Sequence, residues 1–297
     1  MKKLALTILA ITTLLFSCNS DDPENNGGEK VLSKIIKTSE SGANTTVNFE
    51  TNEKLLNHYY YQTLMSQYTY DNQDLLTSLT TQNSFDPTQI SRQYNFNYDN
   101  QGQLTSFHYF KDNGGFEDYD QDRNLNWNGN SLSIPLLTDT TSNIYYHYNF
   151  TFNENNLISS FTLNEYEQDQ MTFNFEYDAN ENVTHFYGFI SDLFGNHNNF
   201  DVNVTYDDKV NPYYAHLHKY YYQNLILLCE DFGFSGIPML QSYHLLGKNN
   251  ALNFSGSFNN QEPTNYYIYD YDGNYPTKSY LKKADGNTKT TTEFIYQ

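Results

Sequence analysis

The chain has 297 residues, with 16 Lys+Arg against 35 Asp+Glu and a formal charge of −19 at pH 7. Acidity on that scale repels nucleic-acid phosphates and argues against nucleic acid as a partner. The core must be built from rings, because 29 Tyr and 21 Phe stand beside a single Trp, and tyrosine buries an apolar body while its hydroxyl reaches water or backbone.

Lys2 and Lys3 precede an apolar stretch from Leu4 to Phe16 that closes at Ser17-Cys18. A charged start, a short apolar run and a small residue before cysteine make a processing segment, and the run is too short to span a bilayer as a helix. The pattern resembles the lipobox of bacterial lipoproteins. The resemblance implies a signal peptide over 1–17 and a lipidated Cys18 that ties the mature chain to a membrane. Loss of Lys2 and Lys3 leaves 14 Lys+Arg against 35 Asp+Glu, a formal charge of −21. Cys229 then has no partner for a disulfide and, in the apolar run from Leu225, reads as a small core residue.

Residues 18–33 are polar and acidic with Pro and Gly, the composition of a flexible tether. Within them Asp21-Asp22 resembles the acidic export signal of Bacteroidetes lipoproteins, which implies an outer-membrane location facing outside the cell.

Residues 34–297 are expected to form one β-repeat domain. From about Val47 a unit recurs: an alternating strand, a turn opening on an aromatic-acidic or aromatic-Asn pair, and an apolar residue six positions past the aromatic. It reads Phe49-Glu50 with Leu55, Tyr70-Asp71 with Leu76, Tyr98-Asp99 with Leu104, Phe152-Asn153 with Ile158, and Tyr177-Asp178 with Val183. Tyr206-Asp207 begins another, Tyr271-Asp272 has a turn one residue shorter, and Trp127-Asn128-Gly129-Asn130 is a degenerate copy. Stretches such as Tyr94-Asn95-Phe96-Asn97-Tyr98 alternate ring and polar residue, the period of a strand wet on one face. Asp, Asn and Gly supply the turns. A lone hairpin cannot hide its aromatic face, so the fold class is all-β: an antiparallel meander of hairpin repeats forming one large curled sheet, open or barrel-like. A membrane-spanning barrel is disfavoured, because it carries no lipobox and turns its apolar side to lipid.

Around 210–255 the repeat lapses. Tyr213 to Glu230 lacks Gly and Pro and has room for a short helix, and the insertion is expected to cover a sheet edge or one open end of the curl.

The unit Tyr98-Asp99-Asn100-Gln101-Gly102-Gln103-Leu104 resembles the YD repeat of bacterial surface proteins. The segment Tyr206-Asp207-Asp208-Lys209-Val210-Asn211-Pro212-Tyr213, followed by Leu246-Gly247-Lys248-Asn249-Asn250, resembles uncharacterised YD-repeat-like lipoproteins of Bacteroidetes and flavobacteria. The resemblance implies antiparallel β architecture and surface residence, and no reaction.

Chemistry is harder to place. Gly233-Phe234-Ser235-Gly236 lacks nucleophile-elbow spacing, and no phosphate-binding glycine motif is present. Asp118, Asp120 and Asp122 alternate like the start of a calcium loop, but Arg123 and Gly129 occupy the positions of its Gly and Glu, so a solvated acidic turn is expected. His216 and His218 lack the companions of a zinc site. Consecutive tyrosines point to opposite faces of a strand, so Tyr59, Tyr60, Tyr61, Tyr145, Tyr146, Tyr220, Tyr221, Tyr222, Tyr266 and Tyr267 are candidate exposed contacts for a glycan or protein ligand. The sequence reading is a lipid-anchored, non-enzymatic binding or adhesion protein without cofactor. The alternatives are a glycan-active enzyme and a structural accessory of an outer-membrane complex.

Overall fold

The computed structural model describes residues 30–52, 55–61, 64–86, 88–112, 119–139, 144–165, 168–191, 195–214, 222–223, 247–258 and 265–297. The expected signal segment, Cys18, Asp21, Asp22, Asp118, His216, His218, Tyr220, Tyr221 and Cys229 lie outside them.

The first strands are β1 (Leu32–Ser39), β2 (Asn44–Asn52), β3 (Leu55–Tyr61), β4 (Leu64–Tyr70), β5 (Leu76–Asn83), β6 (Ile90–Tyr98) and β7 (Leu104–Lys111). Next come β8 (Tyr119–Asn124), β9 (Asn126–Asn128), β10 (Ser131–Asp139), β11 (Ile144–Phe152), β12 (Ile158–Glu165) and β13 (Gln168–Tyr177). The last are β14 (Val183–Ser191), β15 (His197–Val210), β16 (Asn249–Phe258), β17 (Tyr266–Asp272), β18 (Tyr275–Lys282) and β19 (Thr288–Tyr296). β1 starts two residues inside the expected tether, because Leu32 pairs with Tyr296 and is buried. Strand also reclaims both flanks of the expected insertion: β15 runs to Val210 and β16 begins at Asn249.

Consecutive strands pair antiparallel, except that β8 and β9 form one pass of the chain joined by Leu125, and β19 returns to β1, so the 19-stranded sheet is a meander curled into a nearly closed barrel. One seam is left unsealed, between β8 and β10. β8 pairs with β7, and β9 pairs with only the first three residues of β10, Ser131 to Ser133. The cause is Pro135. Phe152 N–H donates to Asn130 O (2.8 Å), and backbone groups alternate sides along an antiparallel strand, so residues 131, 133 and 135 turn theirs toward β9 and β8. Pro135 is the next position due to donate there, and it has no N–H. A second thin place lies between β16 and β17, whose ladder among the described residues is the single pair Asn253↔Tyr266.

The two faces of the sheet differ in kind. Along β13, Met171, Phe173 and Phe175 are buried while Glu176 is exposed; along β15, Phe200, Val202 and Val204 are buried while Asn199, Asp201, Asn203 and Thr205 are exposed. Apolar side chains therefore point inward and polar ones outward, the reverse of a lipid-facing barrel. Rings meet across the inner face, as in Phe150–Phe161 (centroids 5.1 Å) and Phe173–Phe200 (4.8 Å). Burying a phenylalanine contributes roughly 2–3 kcal/mol. Gly188 pairs with both Phe173 and Phe200, and a Cβ there would stand 1.9 Å from Thr172 O, so only glycine lets the two strands close over it. The core divides into a large cluster running from β5 to β16 and a small one made by Leu32, Ile35, Val47, Phe49, Leu56 and Phe294.

Because β8 and β9 make a single pass of the chain through Leu125, alternate connections between antiparallel passes fall at the same end. The repeat turns after β4, β6, β11 and β13, the 211–248 insertion and both ends of the sheet-forming chain therefore share one end, the turn end. The connections after β1, β5 and β18 lie at the far end.

Candidate functional site

The turn end is built by a device used repeatedly. In the turn after β6, Asp99 N–H donates to Gln103 O (2.9 Å), and Asp99 Oδ1 accepts Gln101 N–H (2.8 Å) and Gln103 N–H (2.9 Å). Asp71, Asn153 and Asp178 do the same for the turns after β4, β11 and β13. The fourth turn position takes positive φ: Gly102 (80°), but also Asp74 (62°), Asn156 (60°) and Glu181 (64°). The acidic and Asn side chains that open these turns thus hold backbone N–H groups. Two further turns, opening at Ser39 and Lys283, have the same backbone bonds at the far end. They lack the aromatic-acid pair, and sequence reading missed them.

Four of the aromatics that open the repeat turns share a further task. Tyr98 OH donates to Leu76 O (2.6 Å), Trp127 Nε1–H to Leu104 O (2.8 Å), Tyr177 OH to Ile158 O (2.6 Å) and Tyr206 OH to Val183 O (2.8 Å). In each case the acceptor is the apolar residue six past the preceding unit's aromatic. Tyr296 OH donates to Pro276 O (2.7 Å), one residue nearer the aromatic of the shortened unit at Tyr271. Adjacent hairpins are thereby laced together at the turn end.

The insertion is clasped there by the residues that carried the lipoprotein resemblance. Asp207 Oδ1 accepts Lys209 N–H (2.9 Å) and Asn250 N–H (3.1 Å), while Asp207 Oδ2 accepts Tyr271 OH. Asn211 Nδ2–H donates to Gly247 O (2.7 Å), and Asn211 N–H to Lys248 O (2.8 Å), closing the insertion's base on itself. Asn182 Nδ2–H donates to Asn249 Oδ1 (2.8 Å), and Asn182 Oδ1 accepts Asn249 N–H (2.9 Å). A Cβ at Gly247 would lie 2.8 Å from Asn182 Oδ1, which explains the glycine. Lys248 pairs with Glu181 at 3.0 Å, and Tyr214 OH donates to the same carboxylate (3.4 Å). Burial, then Glu181, pushes the Tyr214 hydroxyl up to about 12; burial, then Asp207, raises Tyr271 as well.

From this base the insertion reaches two sides of the barrel. Tyr213 packs edge-on against Phe294 of β19 (6.0 Å), whereas Tyr222 packs on Trp127 of β9 (5.5 Å) and Phe152 of β11 (5.2 Å). Gln223, buried, donates through Nε2–H to Tyr98 OH of β6 (2.8 Å). β19 and β9 are half a circuit apart, so the described residues of the insertion touch opposite sides of the barrel.

The tyrosine candidates separate. Tyr222 is half-buried against Trp127, and Tyr267 lies inward between Phe254 (6.3 Å) and Tyr269 (6.0 Å), so these two are held by the core rather than offered to solvent. Tyr266 is partly exposed on β17. Tyr59, Tyr60 and Tyr61 form the end of β3, and Tyr145 and Tyr146 lie in β11, with side chains outside the described set. Asp120 and Asp122 stand on a strand, not on the acidic turn expected, because Arg123 and Leu125 alternate inward and are buried. The two carboxylates flank His108, at 3.1 Å from Nε2 and 2.9 Å from Nδ1.

No protein-family model matches the chain, and no curated protein matches it. Among solved structures it overlaps a porin-like protein from Bacteroides vulgatus ATCC 8482 at 9% identity, covering 91% of this chain and 99% of that one with a TM-score of 0.45. A porin-like protein from Bacteroides uniformis ATCC 8492 overlaps at 11% identity, 90% and 98% coverage and a TM-score of 0.34. Both overlaps are too loose to bear on function.

Proposed function

We propose that the chain is a lipid-anchored, non-enzymatic binding protein whose barrel stands in water beside a membrane, at the outer surface of the outer membrane. The observation that carries this reading is the polarity of the sheet. Asn, Asp, Glu, His and Thr predominate on its outer face and rings fill its inner face, so the described residues form no apolar girdle to place in lipid. Membrane attachment then falls to acyl chains on Cys18, with Asp21-Asp22 as the export signal. The chain enters β1 at the turn end, where the insertion is clasped, which leaves the far end free to meet a glycan or protein ligand. Phe85, 84% exposed in the far-end loop after β5, is held there by a bond from its N–H to Asn83 Oδ1 (2.9 Å).

Detergent phase partition of wild type and Cys18→Ala tests the anchor. Wild type is expected in the detergent phase and the variant in the aqueous phase; a variant that stays in detergent places the barrel itself in lipid and ends this reading. Protease shaving of intact cells, with Asp21→Ala/Asp22→Ala beside wild type, tests the outward location, which full protection of the wild type overturns.

A further inference from the structure

The charge of this protein is not spread evenly. Residues 41–274 carry 7 Lys+Arg against 28 Asp+Glu, whereas residues 30–40 and 275–297 carry 7 lysines against 3 acids. Those two segments are far apart in sequence, but β19 pairs with both β18 and β1. Closure of the barrel therefore assembles a three-strand basic face on an acidic molecule.

Alternation decides which of these lysines reach the outside. Ile35, Phe294 and Ser279 are buried inward, so Lys34 on β1, Lys289 on β19, and Lys278 and Lys282 on β18 point outward. Lys278 pairs with Glu293 at 2.9 Å, and Lys282 donates to Thr288 Oγ1 (2.7 Å) while lying 5.7 Å from the Tyr280 ring centroid. Lys34 and Lys289 form no ion pair among the described residues. Apolar side chains sit between the cations: Ile295, opposite Lys34, is 41% exposed, and Ile268, opposite Tyr280 on neighbouring β17, is 44% exposed.

We propose that the outer face of β18, β19 and β1 docks on an anionic bilayer surface, its lysines meeting negatively charged headgroups and Ile268, Tyr280 and Ile295 entering the interfacial layer. Basic side chains interleaved with aromatic and branched apolar ones suit that boundary, where charge attracts and shallow apolar burial holds. A bilayer is favoured over a soluble acidic partner by the place of the tether. The 13 residues between Cys18 and Leu32 can reach no further than about 45 Å even at full extension, and the chain then enters β1, one strand of the face. The acidic remainder of the barrel is repelled by the same surface, so the charge division orients the molecule as well as attracting it. This deepens the anchored reading and takes its biological setting from it.

The test uses the chain from Cys18 onward, made without the signal segment and so without lipid, in cosedimentation with phosphatidylglycerol-containing and pure phosphatidylcholine vesicles. Binding is expected only to the anionic vesicles and should fall steeply between about 50 and about 300 mM salt. Lys34→Gln/Lys278→Gln/Lys282→Gln/Lys289→Gln is expected to weaken it at least about tenfold. Arg92→Gln/Lys111→Gln, on β6 and β7, should leave it unchanged, and thermal melts establish that each variant is folded. Equal binding to both vesicle types, an unaffected quadruple variant, or binding to a soluble polyanion with none to vesicles overturns the proposal. Because the protein tested carries no acyl chain, failure here is separate from failure of Cys18 to anchor the wild type, which the detergent partition reads.

Discussion

The hydroxyl of Tyr98 donates to the carbonyl oxygen of Leu76 at 2.6 Å and accepts from the buried amide of Gln223 at 2.8 Å. One oxygen thus joins a repeat turn, the start of the preceding hairpin and the clasped insertion. Tyr98→Phe keeps the ring and removes both bonds, stranding a buried amide, a loss of about 1–3 kcal/mol. Tyr177→Phe, which in this structure loses the bond to Ile158 O, is expected to cost about 1 kcal/mol. Urea denaturation midpoints compare the two; equal losses would show that Gln223 contributes nothing through Tyr98.

At the fourth turn position the chain uses both glycine and residues that glycine would suit better. Asp74 holds φ at 62°, a conformation that strains side chains with a Cβ. Asp74→Gly is expected to raise stability by about 0.5–1 kcal/mol, and Gly102→Ala to lower it by a similar amount. Gly188→Ala is a different case, since its Cβ meets backbone oxygen. It is expected to lose more than about 3 kcal/mol or to prevent folding, measured by thermal melting and by soluble yield.

What the sequence made legible follows the range of the forces involved. Tyr98-Asp99 and Tyr177-Asp178 announce their turns because Asp bonds backbone N–H groups two and four residues on, and the aromatic alternation announces which face is wet. The seam at Pro135 was equally local, but it becomes readable only once the partner strand is known. The basic face was out of reach, because Lys34 and Lys278 become neighbours only through the closure of β1 on β19. The segments around Asp207 and Asn250 stood out as a family resemblance, yet nothing in their spacing said that they hydrogen-bond to one another.

Alkaline pH should unlace the turn end. Burial raises Tyr206, Tyr269, Tyr271 and Tyr296 above the ordinary tyrosine value, and Tyr214 to about 12. In the unfolded chain these phenols ionise near 10, so above that pH the unfolded state gives up protons that the folded state keeps. Their stabilising contribution is therefore complete below pH about 10 and is lost as the pH rises through 10 to 12 and beyond. Tyrosinate absorbance near 295 nm and β-sheet circular dichroism, followed together, should show a set of tyrosines titrating only as the sheet unfolds. Complete titration near pH 10 with the sheet intact would contradict the burial of these hydroxyls.

Trp127 is the only tryptophan of the chain, and it lies where the insertion lands. Its ring meets Tyr222 edge-on at 5.5 Å and Phe152 at 5.7 Å, while its Nε1–H is bonded to Leu104 O. Docking of the insertion can therefore be read from one fluorophore without a label. Tyr222→Ala removes the ring that shields Trp127 but leaves its bond to Leu104, so the emission should shift to longer wavelength and become more accessible to iodide, with the β-sheet circular dichroism unchanged. Asn211→Ala acts at the base of the insertion, breaking the bond to Gly247 O. If the clasp holds the insertion across the turn end, Asn211→Ala reproduces part of the Tyr222→Ala shift. An unshifted emission in Asn211→Ala, with the variant folded, would mean that the Tyr222 contact stands without the clasp.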